Sequence, residues 1–203
     1  MGNMKRDKSF GQIHDLSIAD RAGRYLSTRK AQKVFSNQTI NVAADIGCGY
    51  EASIGRTLFG GSETLHLVDV SVNKDGAANY ERIHEGYLPE VLSNVENNSL
   101  DAVLLNNVLE HLTNMDGTLK SLYQKMTMNG VLFINVPTWR GKWILEKAAF
   151  RWNIAPRAEM NDHKMYFDLK TLWPLLVAAG FRPDSIKCKT HKLGTNLYAV
   201  CKK

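Results

Sequence analysis

At 203 residues, with 44% apolar and 23% charged side chains, the chain has the length for one domain with a full core and the composition of an ordinary globular protein, without repeats or low-complexity tracts. Its net charge of +6 suits an anionic partner, but there is no long Lys/Arg run, and the closest clusters are Lys5-Arg6-Asp7-Lys8 and the dispersed Lys187, Lys189, Lys192, Lys202 and Lys203, which weakens a nucleic-acid role. No run approaches the roughly 18 to 20 apolar residues of a membrane helix, and no apolar stretch follows the charges at the N-terminus, so a cytoplasmic chain without a membrane span is expected.

An amphipathic helix is predicted over residues 16 to 35, with Leu16, Ala19, Ala22, Leu26, Ala31 and Val34 on its apolar face. Strands follow at 41 to 46, 64 to 69, 81 to 85, 100 to 105, 130 to 136, 184 to 190 and 195 to 201, with helices at 51 to 59, 115 to 127 and 168 to 179. Strand interiors such as Leu65-His66-Leu67-Val68 and Val131-Leu132-Phe133-Ile134 are nearly continuous in apolar residues, which fits a parallel sheet covered on both faces. The last two runs are joined only by His191-Lys192-Leu193-Gly194, too short for a helical crossover and suited to an antiparallel hairpin. Residues 70 to 80 are too short and polar for a long crossover helix. Residues 137 to 166, with Trp139, Trp143, Phe150 and Trp152, read as a lid-like insertion. The expectation is one domain over 1 to 203, with an N-terminal helical segment at 1 to 38.

The chemistry concentrates at the first strand. Val42-Ala-Ala-Asp-Ile-Gly-Cys-Gly-Tyr-Glu-Ala52 runs from an apolar strand into a glycine turn, where positive φ and close backbone approach suit a nucleotide cofactor. Gly47, Gly49 and Ala52 also satisfy the dinucleotide pattern, which is weak alone. Asp69 closes the second strand twenty residues after Gly49, where an open α/β sheet offers a carboxylate to ribose hydroxyls. To this point NAD and S-adenosyl-L-methionine both fit.

Asp45 two residues ahead of Gly47, the segment Ser99-Leu100-Asp101-Ala102-Val103-Leu104-Leu105-Asn106-Asn107-Val108-Leu109-Glu110-His111-Leu112 and the terminal hairpin separate them. Over residues 40 to 201 the chain resembles the class I S-adenosylmethionine-dependent methyltransferases, in particular the small-molecule group with Asp-x-Gly-x-Gly and Leu-Glu-His-Leu motifs. Pro137-Thr-Trp-Arg-Gly-Lys142, Asp162-His-Lys-Met-Tyr-Phe-Asp168 and Leu172-Trp-Pro-Leu-Leu176 are similar to a bacterial subgroup without an assigned acceptor. The resemblance implies an α/β, Rossmann-like, seven-stranded, mostly parallel sheet with a C-terminal antiparallel hairpin and helices on both faces. It implies S-adenosyl-L-methionine as cofactor, with Asp45, Gly47, Cys48 and Gly49 framing its methionine end and Asp69 with Val70 at its ribose. Tyr87 and Leu88 would border the adenine, and Asn106 would approach the methionine amino group.

Two departures stand out. Many relatives have a third glycine where Glu51 stands, and an acidic residue near Tyr87 for the adenine amino group. Glu51 is expected to point outward, since its charge would repel a cofactor carboxylate.

Methyl transfer from a sulfonium is an in-line displacement, so alignment, exclusion of water and removal of a proton from a hydroxyl acceptor are the demands. Candidate catalytic residues are His163 and Tyr166 beside the lid and His111 after the fourth strand; each histidine also has a plain structural reading, ordering its loop. Arg140 and Lys142 at the open sheet edge, and Lys192 and Asn196 in the hairpin, are further candidates for substrate contact. No planar-amine motif of the Asn-Pro-Pro-Phe kind follows the fourth strand, and Cys48, Cys188 and Cys201 offer neither a pair for pyrimidine methylation nor metal-ligand spacing. A small-molecule or glycan-type acceptor, methylated at oxygen, is the favoured partner. An RNA methyltransferase and a non-catalytic cofactor-binding scaffold are the alternatives, and a dehydrogenase is the weakest, since no second catalytic domain fits in the chain.

Overall fold

In the computed structural model, which describes residues 8–12, 18–143 and 164–203, seven strands form one sheet in the order β3-β2-β1-β4-β5-β7-β6. Helix α1 spans Ile18–Phe35, followed by β1 (Val42–Ile46), α2 (Ser53–Phe59), β2 (Thr64–Asp69), β3 (Glu81–Glu85), β4 (Leu100–Asn106), α3 (Met115–Lys125) and β5 (Met126–Pro137). Helix α4 (Leu169–Ala179), β6 (Ile186–His191) and β7 (Asn196–Lys202) complete it. The first five strands pair in parallel; β7 runs antiparallel to both β5 and β6, which is the expected parallel sheet with a terminal hairpin.

Alternation along each strand divides the apolar residues between two layers. Ala44, Ile46, Val103, Leu105, Leu132 and Ile134 face α3 and α4, where Leu119, Leu122, Leu172 and Leu176 cover them. Ala43, Leu65, Leu67, Ala102, Leu104 and Phe133 face the other way and meet Ala31 and Phe35 of α1 and Phe59 of α2. Local signals set the helix ends. Asn114 Oδ1 accepts from Gly117 N at 2.9 Å at the start of α3, and Asp168 and Thr171 form a reciprocal capping box on α4, which stops at Gly180 with φ +118°.

Most element limits lie within two residues of the sequence expectation, and the largest difference is at the junction of α3 and β5. Helix α3 ends at Lys125, and β5 starts at Met126 rather than residue 130, with its register on β4 shifting between Leu100 and Ala102. Such an irregularity admits polar residues that the apolar run alone does not reach. Helix α1 buries Ser27, Ala31 and Phe35, one residue per turn, while Leu26 is 48% exposed; small residues, not the larger leucine, allow the helix to lie close on the sheet. The 70–80 connection carries turns and no helix, as expected.

Past β5 the chain bridges from Thr138 to Phe167 and turns helical at Trp139. Most of the anticipated lid, with Phe150, Trp152, Asp162 and His163, lies outside the described residues. No described helix is long and apolar enough to cross a membrane.

Candidate functional site

The C-terminal ends of β1, β2 and β4 converge on the glycine turn. After Ile46 the chain reverses through Gly47 (φ +69°) and Gly49 (φ +73°), a region L side chains rarely adopt. A Cβ on Gly47 would lie 2.4 Å from Val108 Cγ2, so the loop after β4 presses directly on this backbone. Gly47 N and Cys48 N both donate to Val68 O, at 2.7 and 3.2 Å, stitching the turn to the end of β2.

One step further, Gly49 N donates to Asp69 Oδ2 at 2.8 Å and Val70 N to Asp69 Oδ1 at 2.7 Å. Asp69 therefore sits where the sequence put it, at a strand end against the second glycine. The amides of residues 47 to 49 are taken by β2, and Tyr50 N donates to Phe10 O at 2.9 Å. Helix α2, only seven residues long, offers no extended N-terminus for an anion. The loop uses its own amides to hold its shape, and Asp69 is its polar outlet.

Asp45 is buried, 2% exposed, and its Oδ2 accepts from Gly55 N at 2.9 Å. Burial pushes its carboxyl up to about 7; the Gly55 N–H pulls the other way, the charge of Asp69 adds to the rise, and Arg24 opposes it. A Cβ on Gly55 would lie 2.6 Å from Asp45 Oδ2 and 2.7 Å from its Cβ, so Gly55, not Ala52, is the small residue that lets α2 close on β1. Cys48 is half-buried, and burial, with Asp45 and Asp69 adding to it, drives its thiol far above the usual range.

Glu51 points outward: it is exposed, and its carboxylate accepts from Asn73 Nδ2 at 3.2 Å. Tyr87 and Leu88 follow β3 beside Asp69, whose carbonyl accepts from Gly86 N at 3.0 Å. Tyr87 is 38% exposed and Leu88 packs on the core. The acidic side chain in this region, Glu85, is engaged by Val72 N at 2.9 Å and by Lys74 Nζ at 2.7 Å, and the lysine holds its carboxyl below the usual range.

Asn106 ends β4 inside a polar ladder. Asn135 Nδ2 lies 2.9 Å from both Asn106 Oδ1 and Asn107 Oδ1, and 3.2 Å from Ser27 Oγ. With that nitrogen so placed, His191 Nε2–H donates to Asn135 Oδ1 at 2.7 Å. Burial, with Lys192 and Lys30 adding to it, lowers His191 to about 4 and keeps it neutral. Asn106 thus reaches the sheet edge with its carbonyl oxygen already engaged.

His111 closes a short 3-10 turn, Leu109–His111, that follows β4. Lys164 N donates to Glu110 O at 2.8 Å, so the turn bearing His111 and the segment bearing Tyr166 are tied together. Tyr166 is 6% exposed, its ring 5.5 Å from that of Trp139, with Lys142 Nζ near both rings at 5.5 and 5.8 Å. Arg140 packs along Gly194 at the hairpin tip. His163 lies outside the described residues. Among the described residues no group of three His, Cys, Asp or Glu could hold a metal ion.

Sequence reading missed Ser9, Phe10, Gly55, Asn135 and His191. A glycine in the first turn of α2 after an Asp-x-Gly-x-Gly strand end was a usable signal for Gly55; the others depend on contacts distant in sequence.

A sequence-family model described as a methyltransferase domain matches residues 17–186. The chain belongs to this methyltransferase family. It is a methyl-transferring enzyme, and its methyl donor is S-adenosyl-L-methionine. No curated protein matches the chain. Among solved structures it is similar to an S-adenosylmethionine-dependent methyltransferase from Archaeoglobus fulgidus, with 17% identity and TM-score 0.65 over 89% of this chain and 94% of that one. It is also similar to the N-methyltransferase NodS from Bradyrhizobium japonicum in complex with S-adenosyl-L-homocysteine, with 13% identity and TM-score 0.59 over 93% and 89%. The CurJ carbon methyltransferase gives 13% identity and TM-score 0.64 over 94% of this chain and 56% of that one. At these identities the likeness fixes the fold and leaves the acceptor open.

Proposed function

We propose that this methyltransferase, a single domain over residues 1–203 acting in the cytoplasm, methylates a hydroxyl on a small-molecule or sugar-type acceptor. The observation that carries the cofactor assignment is the Asp69 carboxylate, held by Gly49 N and Val70 N at the end of β2 and already accepting one hydroxyl, from Ser9 Oγ. A ribose hydroxyl is the same kind of donor, so the residues fit the cofactor. Bound there, the cofactor supplies an electrophilic methyl group on a sulfonium.

In this reading Asp69 and Val70 hold the ribose, and Asp45, Gly47, Cys48 and Gly49 frame the methionine end. Tyr87 and Leu88 border the adenine, and Asn106 stands at the amino group. Glu51, turned to Asn73, does not oppose this. Trp139 and Tyr166 form an aromatic wall of the kind that packs on the apolar face of a sugar, with Lys142 over it. His111, His163 and Tyr166 are the groups to receive the acceptor proton. The cysteines support an oxygen acceptor over covalent pyrimidine chemistry, because burial raises all three thiols away from the thiolate form.

Calorimetry with S-adenosylmethionine and its demethylated product, followed by release of that product with a panel of hydroxyl acceptors, tests this. Absence of binding at high micromolar concentration would sink the cofactor half; turnover only with amine or carbon acceptors would sink the acceptor half. Asp69→Ala is expected to weaken the cofactor by about 1 to 3 kcal/mol, the scale of lost charge-assisted hydrogen bonds. An unchanged dissociation constant removes Asp69 from the site.

A further inference from the structure

The carboxylate assigned to the ribose is partly occupied by the protein itself. Ser9 Oγ lies 2.5 Å from both Asp69 Oδ1 and Ser71 O and accepts from Ser71 N at 2.9 Å, and Ser9 is only 5% exposed. With Val70 N on Oδ1 and Gly49 N on Oδ2, Asp69 already accepts three hydrogen bonds. A carboxylate has about four acceptor positions, so both hydroxyls of a diol and Ser9 cannot be accommodated together.

A second contact holds the same segment to the glycine turn. Phe10 O accepts from Tyr50 N and would lie 3.2 Å from a Cβ on Gly49, and the Phe10 ring sits 5.8 Å from the Arg24 guanidinium. Ser9 and Phe10 thus cover the polar outlet of the loop from one side.

We propose that residues 8–12 form a strap that closes the cofactor site in the free enzyme, with the Ser9 hydroxyl standing in for a ribose hydroxyl on Asp69. Cofactor entry displaces Ser9 from the carboxylate, so part of the cofactor's binding free energy is offset by opening the strap. This inference rests on the assignment of Asp69 to the ribose. The sign of its consequence is unusual for a buried polar residue beside a binding site: removing the Ser9 hydroxyl strengthens binding rather than weakening it.

The test is calorimetric titration of S-adenosyl-L-homocysteine into the full chain and its Ser9→Ala, Asp69→Ala and Ser9→Ala/Asp69→Ala variants. Ser9→Ala is expected to bind roughly fivefold to tenfold more tightly, the net scale of one ordinary hydrogen bond released, and to gain nothing in the Asp69→Ala background. Unchanged or weaker binding by Ser9→Ala, with Asp69→Ala still weakened, overturns the strap and leaves the ribose assignment standing. Full binding by Asp69→Ala overturns the ribose assignment, and the strap with it. Tryptic cleavage after Lys8 gives an independent reading: saturating ligand is expected to accelerate it as Ser9 leaves its buried position, and protection by ligand would contradict displacement.

Discussion

Gly55→Ala is expected to destabilise the protein by about 2 to 5 kcal/mol, read as a fall in the denaturant midpoint at unchanged slope. Helix propensity alone would favour alanine here by up to about 1 kcal/mol, so a loss must come from the packing. The new methyl group would lie 2.6 Å from Asp45 Oδ2 and 2.7 Å from Asp45 Cβ, and neither atom belongs to a flexible chain end. To admit it, α2 must move off β1, which costs about 1 to 3 kcal/mol as overpacking and also lengthens the Gly55 N to Asp45 Oδ2 bond. At pH 8, where Asp45 is ionised, loss of a hydrogen bond to a charged group adds about 1.5 to 3 kcal/mol. Gly61→Ala is the control: nothing lies within 4 Å of its Cβ position, and it should be nearly neutral. If Gly55→Ala matched Gly61→Ala, the close approach of α2 would have no energetic weight.

The central strands β1, β2, β4 and β5 were legible because each carries an apolar run bounded by turn residues. β2 and β3 emerge at their expected limits, and the others within a few residues. The glycine turn and the place of Asp69 were legible for a different reason: positive φ demands glycine, and Asp69 closes an apolar strand twenty residues after Gly49. What the sequence concealed are contacts between distant segments. Ser9 meets Asp69 across sixty positions, and His191 meets Asn135 across fifty-six, and no local spacing announces either. The glycine that closes α2 on β1 is not singled out by the dinucleotide pattern, which Ala52 completes; only the approach of Asp45 identifies Gly55. Helix α1 misled through size. Leu26 has the larger apolar side chain, but the sheet accepts Ser27, Ala31 and Phe35 because two small residues permit contact and one aromatic fills the space against Phe59 and Phe133.

Asp45→Asn is expected to make the protein more stable than wild type at pH 8, by on the order of 4 kcal/mol, and about equal to it near pH 4. The folded-state carboxyl is raised to about 7 from its ordinary value of 3.8, chiefly by burial. Between those values the native protein holds a proton that the unfolded chain has released, so its stability falls as pH rises from about 4 to 7 and levels off above. The gap corresponds to roughly 4 kcal/mol. Asparagine has nearly the same shape, remains neutral throughout and keeps an oxygen to accept from Gly55 N. His66 and His191, both lowered to about 4 chiefly by burial, act in the opposite sense, adding stability as pH rises toward 6.5. The informative quantity is therefore the difference between the two proteins' urea-derived stabilities across pH 4 to 8, in which the histidines cancel. Parallel curves would mean that Asp45 titrates normally, and with it would go the picture of a carboxyl sealed between β1 and α2. A difference that opens between pH 4 and 7 would also mean that Asp45 is partly protonated in the free enzyme near neutrality. Cofactor binding, which brings a cationic methionine end to this loop in the proposed arrangement, should then release a fraction of a proton near pH 6.5. That release is measurable as a dependence of the calorimetric heat on the ionisation enthalpy of the buffer, and Asp45→Asn should abolish it.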